Sequence, residues 1–302
     1  MSIYTPTAIA LDWHCVGMAD KERYLAIAEQ TDCRGADRFF ANLYIWNETY
    51  HQEIAFLGDT AFIRFGNGEK HKYLPPVSKD LTNAMKILLQ HDPLASFVAV
   101  TEAEAAHITD VFADAFVCTE VRAHADYIYE AESLSTLAGK KLHAKRNHIN
   151  AFTAANEWAV HPLTAADHDS CRLIAREWAA TQEGKSVEQE QCALERALHA
   201  FAQLELHGAI LTVNGRAVAF TIGSIMGDTM DVHFEKTLPD ITGAYPVINR
   251  EFVRMMREIY PALRFVNREE DMGLENLRRA KLSYRPALLL QKFTLKSAIG
   301  QF

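Results

Sequence analysis

The stretch Ala209-Ile-Leu-Thr-Val-Asn-Gly-Arg-Ala-Val-Ala-Phe-Thr-Ile-Gly-Ser-Ile-Met-Gly-Asp-Thr-Met-Asp-Val-His-Phe-Glu-Lys236 decides the fold. Asn214-Gly215 separates two apolar runs. A type I′ hairpin turn needs positive φ at both central residues, which Asn and Gly tolerate best. The spacing therefore predicts a strand over 209–213, a tight turn, and a second strand over 216–225. Gly227-Asp228 marks a further turn into a third strand over 230–236.

Downstream, Val247, Ile248, Phe252, Met255 and Ile259 fall on one face of a predicted helix over 244–258. A strand over 263–267, a helix over 274–282 and a strand over 287–295 follow. Pro286 stops that last helix, because the residue before proline avoids the α region. Upstream, helices are predicted over 165–181 and 187–204.

The first half reads in a similar order. Phe39, Phe40, Leu43, Trp46 and Tyr50 have helical spacing. Three short strands follow, over 53–57, 61–65 and 70–74, separated by turn signals at Gly58-Asp59 and Gly66-Asn67-Gly68. A helix over 80–90, a strand over 96–100 and a helix from about residue 102 complete the order. The expectation is an α/β (α+β) chain of two units, 1–132 and 133–302, each a mixed twisted sheet flanked by helices.

A linker helix is expected over 134–152, with Leu134, Ala138, Leu142, Ile149 and Phe152 as an apolar seam. Lys141, Lys145 and His148 follow one another at helical spacing, with Lys140 and Arg146 nearby. Stacked on one face, they make either a solvated basic stripe or a phosphate contact.

Composition bounds the partners. With 31 Lys+Arg against 39 Asp+Glu the net charge is -8, which on average repels nucleic acid and anionic membrane. Five cysteines without a CxxC pair argue against a disulfide framework or a zinc ribbon and fit a reducing compartment. No signal peptide and no bilayer-spanning run is legible. A soluble, cytoplasmic protein is expected.

Three constellations carry chemistry. Strict alternation along 230–236 would put Asp231, His233 and Glu235 on one face, where burial demands partners or a functional cleft. The segment Asp240-Ile-Thr-Gly-Ala-Tyr245 leads into a helix whose first amides could meet an anion. Asn267-Arg-Glu-Glu-Asp-Met-Gly273 stands where a strand ends, the edge at which α/β folds place ligands. His-x-Glu on a strand, with no distant third ligand, is not read as a metal site.

Several strings together resemble one family. They are Asn42-Leu-Tyr-Ile-Trp46, Leu137 through Phe152, Val232-His-Phe-Glu-Lys236, Gly243 through Phe252, Val266-Asn-Arg-Glu-Glu-Asp-Met-Gly273 and Leu277 through Pro286. The set is similar to bacterial proteins related to the C-terminal domain of phosphatidylglycerol lysyltransferase, long a domain of unknown function. The resemblance implies a tandem GNAT-like acyltransferase fold. It also implies transfer of an aminoacyl group from charged transfer RNA, or an acyl group from acyl-CoA, to an amine or hydroxyl acceptor. Its best-understood members modify lipid head groups and carry a membrane-embedded region that this sequence does not show.

By position, Glu235 or Glu269 would act as base, with His233 as an alternative, and Tyr284 as acid. Backbone amides near Lys236 would polarise the acyl carbonyl. Lys236, Thr242, Gly243, Ala244, Lys141, Lys145 and Arg146 would hold the donor. No tightly bound cofactor is expected. The GNAT superfamily's usual phosphate loop is degenerate here, which keeps open an alternative: a GNAT-like protein that binds a ligand or partner without catalysis.

Overall fold

The computed structural model describes residues 10–31, 34–66, 71–182 and 185–298. Strands in chain order are β1 His14–Cys15, β2 Glu53–Leu57, β3 Thr60–Phe65, β4 Lys72–Tyr73, β5 Ser96–Thr101, β6 Phe116–Glu120 and β7 Asp126–Glu130. They continue with β8 Trp158–Pro162, β9 His207–Val213, β10 Arg216–Met226, β11 Thr229–Thr237, β12 Phe265–Asn267, β13 Leu288–Leu290 and β14 Lys292–Ser297. The α-helices are α1 Lys21–Ala28, α2 Phe40–Ile45, α3 Asn47–Tyr50, α4 Leu81–His91, α5 Glu102–Phe112 and α6 Ala131–Thr136. After them come α7 His143–Ala155, α8 His168–Ala179, α9 Lys185–His199, α10 Ala244–Ile259 and α11 Glu275–Leu282.

Two compact units divide the chain. One takes residues up to 33, 46–124 and from 290 onward; the other takes 34–45 and 125–289. The single break expected at 132/133 is replaced by an interleaved division. Local periodicity marks where a strand lies but not which sheet receives it. The run over 287–295, expected as one strand, shows the point. It splits into β13, an edge strand of the second sheet, and β14, which lies between β5 and β6 in the first.

The first unit's sheet runs β1-β2-β3-β4-β5-β14-β6. Helices α4 and α5 contribute Met85, Leu88 and Ile108 to a core with Phe62, Tyr73 and Phe97. Each such side chain contributes about 1.5–3 kcal/mol by leaving water. The Asp80 carboxylate accepts the Asn83 amide at the start of α4, and Thr101 with Glu104 forms a capping box on α5. Residues 39–50 are not one helix, since α2 and α3 part at Trp46. The turn at Gly66-Asn67-Gly68 lies partly outside the described residues.

The second unit's sheet runs β13-β7-β12-β11-β10-β9-β8. Asn214 (φ 49°) and Gly215 (φ 76°) both take positive φ, as the β9–β10 turn requires. Helix α10 buries Val247, Ile248, Phe252, Val253 and Met256. Met256 replaces the expected Met255, and Ile259 is 52% exposed.

The linker is not one helix over 134–152. Leu137 (φ 51°) ends α6, and α7 begins only at His143. Leu134, Leu142, Ile149 and Phe152 are still buried, but Lys141 sits in a short 3-10 turn outside α7. No continuous basic stripe forms.

The feature that positions the site is a β-bulge. Ile222 pairs with Phe234 but Gly223 pairs with Val232, leaving His233 without an opposite number. A β-carbon at Gly223 would stand 2.5 Å from the Asp231 carbonyl oxygen. Only glycine admits that approach of backbone to backbone. Gly223→Ala is expected to lower stability by about 1–3 kcal/mol, the range for overpacking a rigid site. Urea unfolding of the variant against the parent chain measures it, and an unchanged midpoint contradicts the role given to the bulge.

Candidate active site

Strands β11 and β12 are parallel but pair at only three positions, Thr229 with Phe265, Met230 with Val266 and Asp231 with Asn267. Beyond Asp231, β11 continues to Thr237 while β12 turns away at Arg268. The strands stop pairing there, which leaves an opening in the ladder at the carboxyl end of β12. Sequence patterning put Asp231, His233 and Glu235 on one face. The bulge corrects this: Asp231 and His233 join one cluster, Glu235 another.

The first cluster is acidic around an imidazole. Asp231 and His233 are buried, and His233 Nδ1 lies 3.3 Å from Asp231 Oδ2 and 3.7 Å from Glu269 Oε1. Ser224 Oγ shares a 2.8 Å hydrogen bond with Nε2 of the same ring. The Asn42 amide donates to Asp231 at 2.9 Å and to Glu269 at 3.2 Å, so one side chain tethers both carboxylates. Burial alone would push His233 down, but the Asp231 and Glu269 carboxylates beside the ring outweigh it and lift its pKa to about 9. Burial, reinforced by the Glu269 charge, pushes Asp231 up. Asp231, His233 and Glu269 turn ligand atoms within 4.8 Å of one another, a set with the chemistry to hold a metal ion. A protonated His233 supplies the same positive charge from the chain itself.

Glu269 is the member of this cluster open to solvent, its side chain 27% exposed. Its φ of 56° is left-handed, and the Asn267 side chain accepts its amide at 2.7 Å. Asn267 also donates to Asp126 of β7 at 2.9 Å. The strand end is thus held by side-chain bonds in addition to the backbone bonds that Arg268 and Glu269 still make with Tyr127.

The second cluster is cationic and aromatic. Arg268 Nη2 donates to Glu235 Oε1 at 2.8 Å, and Asn249 of α10 donates to Oε2 at 3.1 Å. The Arg268 guanidinium lies 5.1 Å from the Tyr284 ring centre and Lys145 Nζ lies 4.0 Å from it. Burial and then the Arg268 charge draw the Lys145 amine down, while burial pushes the Tyr284 phenol up to about 12. The Tyr129 hydroxyl donates to the Lys281 carbonyl at 2.8 Å, anchoring the wall of this cluster.

The residues expected at the site are thus unequally placed. Glu235, Glu269, His233, Tyr284 and Lys145 gather about the opening. Lys236 is drawn to Glu190 at 2.7 Å and stacks on Trp178 at 3.4 Å. Arg146 donates to the Leu137 and Gly139 carbonyls, closing the end of α6. Lys141 and Thr242 are exposed. Gly243 (φ 88°) precedes α10 and Ala244 is buried at its start; no side chain caps this helix. Sequence reading missed Asn42, Ser224, Asn249 and Arg268 as site members. Asn42, Asn249 and Arg268 had a signal, each standing in a string that carries the family resemblance, and Ser224 had none.

Comparison with known proteins agrees with this architecture. The family described as "Phosphatidylglycerol lysyltransferase, C-terminal" matches residues 29–296. A crystal structure of a conserved protein of unknown function from Bacteroides thetaiotaomicron is 36% identical, covering 95% of this chain and 100% of that one, with a TM-score of 0.89. L-PGS from Bacillus licheniformis is 14% identical at a TM-score of 0.65, covering 92% of each chain. A tandem GNAT protein from the clavulanic acid biosynthesis pathway is 8% identical at a TM-score of 0.50, over 95% of this chain and 98% of that one. The fold is therefore a tandem of GNAT-like units with mixed sheets flanked by helices. An uncharacterized protein of Mycoplasmoides gallisepticum is 25% identical over 174 residues, and the match spans 56% of its length.

The raised His233 pKa has a consequence of definite sign. A histidine lifted from 6.5 unfolded to about 9 folded binds its proton more tightly in the native state. Its stabilisation is complete below pH about 6.5 and is lost as pH rises through about 9. Imidazole NMR should show one ring titrating well above 6.5, lowered by Asp231→Asn. A His233 midpoint at or below 6.5 contradicts the cluster.

Proposed function

The chain belongs to the phosphatidylglycerol lysyltransferase C-terminal family, and from that premise we propose that its second unit transfers an acyl group in the opening between β11 and β12. The donor is an activated carrier, aminoacyl-tRNA or acyl-CoA, and the acceptor is an amine or hydroxyl. The parting of β11 from β12 beside a solvent-reachable carboxylate, Glu269, carries this reading. The family's description as a lysyltransferase favours an aminoacyl group.

Glu269 serves as the base. Asn42 holds it, buried His233 backs it, and its exposure lets an acceptor approach. Glu235 has both oxygens occupied by Arg268 and Asn249, so it positions Arg268 instead of taking a proton. The acceptor nitrogen or oxygen bonds to the acyl carbon, and its proton passes to Glu269. The bond from that carbon to the carrier's oxygen or sulfur breaks, and the leaving atom takes a proton from Tyr284. A phenol is protonated near neutral pH, and burial raises this one further, to about 12. Past Asp231 the edge of β11 facing the opening has no strand pairing among the described residues. Its amides are placed to polarise the acyl carbonyl. No helix among the described residues is long and apolar enough to cross a membrane.

Aminoacyl-tRNA and acyl-CoA, each offered with a panel of amine and hydroxyl acceptors, test the proposal. Glu269→Gln should slow transfer by about 10²–10⁴, the span of a general base. Full activity in that variant removes Glu269 from the role. No transfer and no binding of either donor overturns the proposal and leaves a binding protein without catalysis.

A further inference from the structure

The two sides of the opening carry opposite charge, and the cationic side is not balanced. Arg268 is largely withdrawn from water, with 15% of its side chain exposed. Its Nη2 serves Glu235, but Nη1 is buried with no hydrogen-bond partner. Lys145 is half-buried over the Tyr284 ring and makes no ion pair among the described residues. Glu235 already accepts from Arg268 and Asn249. Two cations therefore share one carboxylate and the rings of Tyr129 and Tyr284, leaving a single positive charge without an anionic partner. Glu269 does not supply it, since Asn42 draws that carboxylate to the Asp231 and His233 side.

A cation resting on an aromatic face accounts for Lys145 alone. It does not account for a buried guanidinium N–H without an acceptor, because such donors are ordinarily paired. Nor does it account for a second cation being brought to the same ring. An anion relieves both conditions at once.

We infer that Arg268 and Lys145, both beside the Tyr284 ring, form a seat for a monoanionic oxyanion carried by one of the substrates, a phosphodiester or a carboxylate. Arg268 Nη1 and Lys145 Nζ are its donors. Planar guanidinium nitrogens match the spacing of oxyanion oxygens, and the flexible lysine stem can swing outward to admit the group. One unbalanced charge fits a monoanion. Tyr129 and Tyr284 wall the seat, so it takes one group and not a run of phosphates. The inference rests on the transfer reading only for the claim that a substrate carries the anion.

Calorimetric titration of the full chain with dimethyl phosphate, and separately with acetate, tests it, with chloride holding ionic strength constant. Saturable binding of at least one anion is expected, weakened about tenfold or more in Lys145→Ala and in Arg268→Lys. Lys86→Ala, exposed on α4 and outside the seat, should bind as the parent does. Circular dichroism checks that each variant is folded, and if Arg268→Lys is not, Lys145→Ala decides. The tighter anion identifies the group as phosphodiester or carboxylate. No saturable binding of either, or binding indifferent to Lys145→Ala, overturns the seat. Transfer without anion binding removes the seat and leaves the enzyme; anion binding without transfer does the reverse.

Discussion

Gly223 lets the Asp231 carbonyl come to a place where any β-carbon would collide with it, and the site depends on that contact. The extra residue this bulge puts into β11 is His233. Without it the strand would keep its two-residue alternation, and His233 and Glu235 would point the same way. With it, His233 meets Asp231 and Glu269 while Glu235 meets Asn249 and Arg268. A bulge also bends its strand and sharpens the local twist. That is the geometry needed for β11 to leave β12 after three paired positions.

Such an opening has to be held, since two parallel strands that stop pairing leave amides and carbonyls unmet. On the β12 side, side chains add to the backbone bonds that Arg268 and Glu269 keep with Tyr127 of β7. Asn267 receives the Glu269 amide and donates to Asp126, which also accepts the Ala36 amide. Lys281 donates to the Arg268 carbonyl at 2.6 Å. Burial draws that amine down to about 8, consistent with an ammonium placed for its hydrogen bonds and not for exposure. The polar residues around the strand end thus reinforce what remains of the ladder.

Much of the second unit was legible in the sequence for definite reasons. Asn214-Gly215 specifies one turn type, and α10 buries most of the apolar stripe that its spacing predicts. What could not be read was set by partners far along the chain. Asp126–Glu130 carries no turn or period strong enough to mark it, yet as β7 it pairs with β12 more than a hundred residues later. Asn42 tethers carboxylates at 231 and 269, a contact no local pattern encodes. Lys236 and Arg146 had the right charge in the right strings, but Glu190 and the carbonyls of Leu137 and Gly139 claim them. Charge along a chain shows what a residue can bind, whereas competition among nearer partners decides what it does bind.

That competition also explains why the opening keeps two signs of charge side by side. Arg268 and Glu269 are adjacent and could neutralise each other. The left-handed backbone at Glu269 and the Asn42 tether instead turn its carboxylate toward His233, while Glu235 draws the guanidinium the other way. The arrangement places an electrostatic field across the space where the strands part. Charges fixed beforehand by their neighbours act on a developing oxyanion without reorganising at the moment of reaction. A carbonyl entering there would meet cations on one side and a proton acceptor on the other. The proposed acyl transfer would draw on both clusters, and neither alone provides the two signs of charge.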